Sequence, residues 1–182
     1  MKSSIKFQLS LMMFLQFFIW GGWFVTLGTF LGNNLNASGG QIAMAFSTQS
    51  WGAIIAPVFI GLIADRYFNA EKILGVLHLF GSGLLYLISQ TEEFSAFYPY
   101  VFGYMIIYMP TLALVNSVSF NQMKHTAAEF PFIRTFGTIG WIISGIVISY
   151  IFSWDAKEAI AGGSLSNTFK MIALASLLLG AF

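Results

Sequence analysis

Cysteine is absent from the 182 residues, which excludes disulfides, thiolate nucleophiles and cysteine metal sites together. Charge is almost as scarce. Asp, Glu, Lys and Arg make up 8% of the chain, against about 25% in an ordinary soluble domain. So few charges cannot cover a water-facing surface of this size. The net charge of +1 leaves no basic footprint for nucleic acid and no acidic face for a basic partner. The sequence also lacks a Ser-His-Asp arrangement, paired carboxylates deep in an apolar segment, a metal-ligand cluster and a phosphate-cradling glycine loop. It therefore reads as a non-enzyme with no metal and no organic cofactor.

What the chain does have is apolar length. Hydrophobic residues are 57% of it and the mean hydropathy is +0.78. Phe (20), Trp (5) and Tyr (7) are abundant, as suits rings at a lipid interface or along a cavity. Six spans approach the roughly 20 residues that a bilayer requires. They are Leu9–Leu31, Ile42–Ala64, Ile73–Gln90, Phe97–Phe120, Phe132–Phe152 and Ser166–Phe182. Polar breaks separate them: Gly32-Asn33-Asn34, Asp65-Arg66, Thr91-Glu92-Glu93, Lys124-His125 and Asp155-Ala156-Lys157-Glu158. The first span exceeds the roughly 7–15 residues of a signal-peptide core, and more spans follow it, so it reads as a membrane helix. With the N-terminus in the cytoplasm, that side carries Lys2, Lys6, Lys72, Lys124, Arg66 and Arg134, and the other carries Lys157 and Lys170. The bias favours an N-in orientation. The last span reaches Phe182 without a boundary, which reads as a chain stopping in or at the edge of its sixth helix. The expectation is one all-α transmembrane unit over residues 1–182, embedded in a lipid bilayer, with no second domain.

The few polar residues fall at helical spacing. Arg134, Thr138 and Trp141 follow i, i+4, i+7 and share one helix face. Pro131 suits a first helical position, which places Arg134 about one turn inside. The stripe presents a guanidinium, a hydroxyl and an indole in that order, and by itself an arginine there also reads as a snorkelling interfacial residue. Gln16, Trp20 and Trp23 repeat the spacing in the first span. A buried glutamine needs partners, either in a cavity or on another helix. Tyr108, Thr111 and Asn116 flank Pro110, with interhelical bonding as the plain reading and cavity lining as the second. His78 reads as a structural hydrogen-bonding residue. Gly28/Gly32, Gly52/Ala56 and Gly140/Ser144 are small pairs four apart, the spacing that lets membrane helices approach closely. Asp65-Arg66 reads on its chemistry as a polar boundary with a snorkelling arginine.

Two sets of motifs carry a resemblance. Gly61-Leu62-Ile63-Ala64-Asp65-Arg66 resembles the loop motif Gly-x-Leu-Ala-Asp-Arg of the major facilitator superfamily, where it latches two halves of the molecule; here Tyr67-Phe68-Asn69 replaces the usual continuation. Phe14-Leu15-Gln16-Phe17-Phe18-Ile19-Trp20-Gly21-Gly22-Trp23 resembles the nucleoside:proton symporters of that superfamily. So do Tyr108-Met109-Pro110-Thr111-Leu112 with Asn116, and Phe130-Pro131-Phe132-Ile133-Arg134 running on through Gly137-Thr138-Ile139-Gly140. The resemblance covers the first six helices of a twelve-helix family. It implies a half-bundle of two inverted three-helix repeats, and a missing C-terminal six-helix half as partner. It implies nucleoside import by alternating access, with the proton as coupling ion and the coupling acid in the missing half, across the inner membrane of a bacterium. It also implies that Arg134, Thr138 and Trp141 line the substrate cavity, with Gln16, Trp20, Tyr108 and Asn116 as weaker candidates, and that Asp65 and Arg66 form the latch. The alternatives are a carrier of sugars or other hydroxylated solutes, and a non-transporting membrane scaffold.

Overall fold

The structure is a computed structural model that describes residues 2–63 and 69–182, of which 59–63 by backbone alone. The expected latch, Asp65-Arg66, lies outside the described residues. Every regular element among the described residues is helical. In chain order they are α1 (Ser3–Phe24), α2 (Leu27–Asn33), α3 (Gly39–Ile63), α4 (Ala70–Ile88), α5 (Phe94–Asn121), α6 (Thr126–Ile146) with a π turn at Val147–Ile151, the short α7 (Lys157–Ala161), and α8 (Ser166–Ala181). Four described segments are long and apolar enough to cross a membrane: Ser3–Asn33, Ala70–Ile88, Phe94–Asn121 and Thr126–Ile151. The apolar helix Ser166–Ala181 is shorter.

Local chemistry explains several boundaries. Ser38 and Gln41 form a reciprocal capping box before α3: the Ser38 N–H donates to Gln41 Oε1 (2.8 Å) and the Gln41 N–H to Ser38 Oγ (3.3 Å). The first apolar segment is divided at Val25-Thr26, where the Thr26 hydroxyl donates to the Trp23 carbonyl (3.2 Å) and competes with the helical ladder. Pro131 is not the first residue of its helix, contrary to the expectation from its spacing. The Glu129 carboxylate accepts the backbone N–H groups of Lys124 (3.2 Å) and His125 (3.3 Å), and α6 already begins at Thr126. Arg134 therefore lies about two turns inside the helix, not one.

The packing pattern has an internal symmetry. The principal pairs are α1 with α6, α1 with α8, α3 with α5, α4 with α5, and α4 with α8. Exchanging α1 with α5, α3 with α6 and α4 with α8 maps this set onto itself. The chain is thus two three-helix units related by a pseudo-two-fold. Successive long helices run back and forth, and three of them precede α5, so the second unit is inverted relative to the first.

The interior is largely apolar, but unlike a soluble domain the outer surface is apolar too. Large apolar side chains point outward, among them Ile54, Phe80, Ile142, Leu174 and Leu178, while Gln16, His78, Thr111, Ser144 and Ser176 are buried. Only a lipid surround makes that distribution favourable. Glycine sets the closest helix approaches. A Cβ on Gly140 would collide with the Phe14 carbonyl oxygen of α1, and one on Gly21 would lie 3.0 Å from the Trp141 Cα. In α3 a Cβ on Gly52 would lie 2.5 Å from the Met105 carbonyl oxygen of α5. Gly28 and Gly32 differ from the spacing-based reading: a Cβ on the first would meet only the edge of Phe46 at 3.9 Å and one on the second would meet nothing within 4 Å, so no helix crosses there.

Gly140→Val is expected to force α1 from α6 and lower stability by about 1–3 kcal/mol. Gly145→Val, in open space, should leave it unchanged. Thermal unfolding of the detergent-purified protein measures both.

Candidate functional site

Two groups of polar residues emerge, one inside the bundle and one on an open face. The interior group centres on Gln16 of α1 and His78 of α4. The Gln16 amide donates from Nε2 to Thr111 Oγ1 (2.7 Å), and the Thr111 hydroxyl in turn donates to the Tyr108 carbonyl (2.6 Å). The Tyr108 hydroxyl donates to the Gln16 carbonyl (2.7 Å). With its nitrogen committed to Thr111, Gln16 presents Oε1 to His78 Nε2 at 2.8 Å, so that ring nitrogen carries the hydrogen. His78 Nδ1 lies 3.0 Å from Ser176 Oγ of α8, and the same hydroxyl lies 2.9 Å from the His78 carbonyl. In the neutral imidazole the single serine hydrogen serves one acceptor or the other. Four helices are joined through side chains with no net charge. This is the low-dielectric setting in which a satisfied network is strong and a broken one is costly.

The open face is built from α6 and α1. Arg134 and Trp141 are half-buried and Thr138 is exposed. The Arg134 guanidinium lies over the Phe17 ring, 4.0 Å from its centroid. Trp141 meets Trp20 edge-on at 5.7 Å and tilts against Phe24 at 6.4 Å. Trp20 continues the aromatic surface to Tyr108 at 6.2 Å, and Phe24 continues it to Phe46 of α3 at 5.5 Å. Among the described residues neither the Arg134 guanidinium nor the Thr138 hydroxyl has a hydrogen-bond partner. Trp20 Nε1 is buried among rings without one. The face therefore offers aromatic surface, a cation, a hydroxyl and uncommitted N–H donors side by side. A small molecule with a planar apolar part and several hydroxyl or carbonyl groups would match it.

The sequence-derived residues divide between these groups. Arg134, Thr138, Trp141 and Trp20 lie on the open face. Gln16 bonds other helices in the interior, and Trp23 is buried there against Tyr104 and Phe169. Tyr108 belongs to both, with its hydroxyl in the network and its ring against Trp20. Asn116 is half-buried and makes no side-chain hydrogen bond among the described residues. Phe17 and Phe24 were not singled out from sequence. Their signal was present, since Phe17, Trp20 and Phe24 fall at i, i+3, i+7, a second stripe displaced from Gln16, Trp20 and Trp23.

The nucleoside H+ symporter family matches residues 3–182. The chain belongs to that family. Its relatives include YegT of Escherichia coli strain K12, 41% identical over 151 residues that cover 83% of this chain and 35% of YegT. The nucleoside permease NupG of the same organism is 30% identical over 176 residues, covering 94% of this chain and 42% of NupG. A crystal structure of a NupG mutant superposes with a TM-score of 0.86 at 29% identity, over 97% of this chain and 42% of that one. The family is one of transporters, not of enzymes. The fold is the six-crossing half-bundle of a major-facilitator transporter. This symporter-family chain spans about two-fifths or less of the relatives it matches.

Within the family bundle, Gln16→Leu or His78→Leu leaves buried partners unsatisfied, and each is expected to lower stability by about 1–3 kcal/mol. The double variant should lose less than the sum of the two, because both act on one network. A double-mutant cycle of thermal unfolding in detergent reads this directly.

Proposed function

We propose that this chain is the N-terminal half of a secondary transporter that imports nucleosides across a bacterial cytoplasmic membrane by proton symport. The observation that carries the reading is the open face of Arg134, Thr138 and Trp141, where uncommitted polar groups stand among aromatic rings. A nucleobase stacks on such rings, and ribose hydroxyls pair with such donors and acceptors. Family membership and the NupG superposition support it.

In this reading a second six-helix half closes the site near the bilayer midplane, and the two halves rock around it. The acidic residues of this chain lie toward helix ends or in the connections, so the proton-carrying carboxylate belongs to the other half. The N-terminus faces the cytoplasm, in keeping with the excess of Lys and Arg on that side. Asp65 and Arg66, between α3 and α4, then latch the cytoplasmic side.

In the full-length transporter, Arg134→Ala is expected to abolish uptake of radiolabelled uridine or adenosine while surface expression stays intact. Wild-type uptake by that variant would remove Arg134 from the site. Unlabelled nucleosides should compete with the label and sugars should not.

A further inference from the structure

Arg134 is the single arginine among the described residues. It sits two turns inside a membrane helix without a carboxylate partner among them. What holds it is a ring from the neighbouring helix. The guanidinium carbon is 4.0 Å from the Phe17 centroid. The space it occupies exists because residue 137, one turn further along α6, has no side chain. A Cβ there would lie 2.6 Å from Arg134 Nη1 and 2.7 Å from Phe17 Cδ2. The arginine therefore lies forward along its own helix, across Gly137, onto a ring of α1.

The choice of a ring over a carboxylate matters chemically. A carboxylate fixes an arginine by accepting two of its five N–H groups and neutralising its charge, which leaves fewer donors and less charge for a ligand. A ring holds the cation through its π face, and the five N–H donors in the guanidinium plane stay open. An unsupported arginine also carries rotamer entropy that a ligand contact must freeze out. A seat that limits those rotamers beforehand removes part of that loss at binding.

We propose that Phe17 and Gly137 form the seat of Arg134 and are positioning residues for its contact with substrate. This rests on the nucleoside-site reading of Arg134 given above. The seat acts on affinity: it orders the guanidinium in the empty site and leaves its donors available.

The test measures uridine uptake by the full-length transporter in proteoliposomes, with KM and Vmax separated and thermal stability recorded for each variant. Phe17→Leu should raise KM about three- to tenfold with Vmax per folded transporter little changed. Phe17→Tyr, which keeps the ring, should restore KM. Gly137→Ala should raise KM similarly, because the arginine tip is the more easily displaced of the two groups its methyl meets. In an Arg134→Ala background, Phe17→Leu should have no further effect on uridine-dependent stabilisation. Wild-type KM in both Phe17→Leu and Gly137→Ala, alongside loss of uptake in Arg134→Ala, would overturn the seat and leave the nucleoside reading standing. Equal KM increases in Phe17→Leu and Phe17→Tyr would also overturn it. Wild-type uptake by Arg134→Ala would overturn both. Should Phe17→Leu prove unstable, Gly137→Ala and Phe17→Tyr decide the matter.

Discussion

The contact on which the rest of this half-bundle depends is the backbone approach of α1 to α6. Gly140 admits the Phe14 carbonyl, and Gly21 admits the Trp141 backbone together with the Ser144 hydroxyl, so the two helices come within backbone contact at these points. In lipid there is no hydrophobic drive to press helices together, and such close van der Waals contact is the main attraction available. It also has a chemical result. With the backbones this near, side chains on the edges of the seam touch across it, Phe17 with Arg134 and Trp20 with Trp141. A wider spacing would leave the arginine over lipid or water and the indoles apart.

Behind that seam the Gln16–His78 network ties α1 to α4, α5 and α8. Its members are uncharged, so the bundle interior gains directional bonds without the desolvation cost of ions. The division of labour follows from satisfaction. The Gln16–His78 network is interior and its polar groups have partners in this chain, whereas Arg134 and Thr138, on the face, have no hydrogen-bond partner among the described residues. That second set needs something from outside the half-bundle, either a ligand or a further part of the protein.

Much of this was legible in the sequence, because a membrane protein writes its class in long apolar runs and in the rarity of charge. The stripe of Arg134, Thr138 and Trp141 was visible since all three lie on one helix, where spacing alone fixes relative direction. Gln16 was not resolvable in that way. Spacing places it beside Trp20, but whether it faces a cavity or another helix depends on His78 and Thr111, which are 62 and 95 residues away. The start of α6 was misjudged for a related reason. Pro131 is compatible with a first position, yet the Glu129 carboxylate caps the backbone upstream and extends the helix past the proline. Gly28 and Gly32 had the spacing of a packing motif, but neither sits at a close backbone approach, as the pattern permits one without requiring it.

The symmetric packing pattern bears on how such a chain can assemble. The first helix packs chiefly on α6 and α8, which follow it by more than 100 residues, and α3 packs chiefly on α5. Helices adjacent in sequence are thus often not the ones that fit. A ribosome at about 5–20 residues per second delivers α1 many seconds before its glycine-lined partner. For the first part of that interval Gln16 is in or near lipid, until His78 and Thr111, 62 and 95 residues further on, have followed it. The topology obliges the early helices to wait, shielded by lipid or by the insertion machinery; α6 brings α1 its glycine-lined partner, and the bundle closes only when α8 packs on α1 and α4.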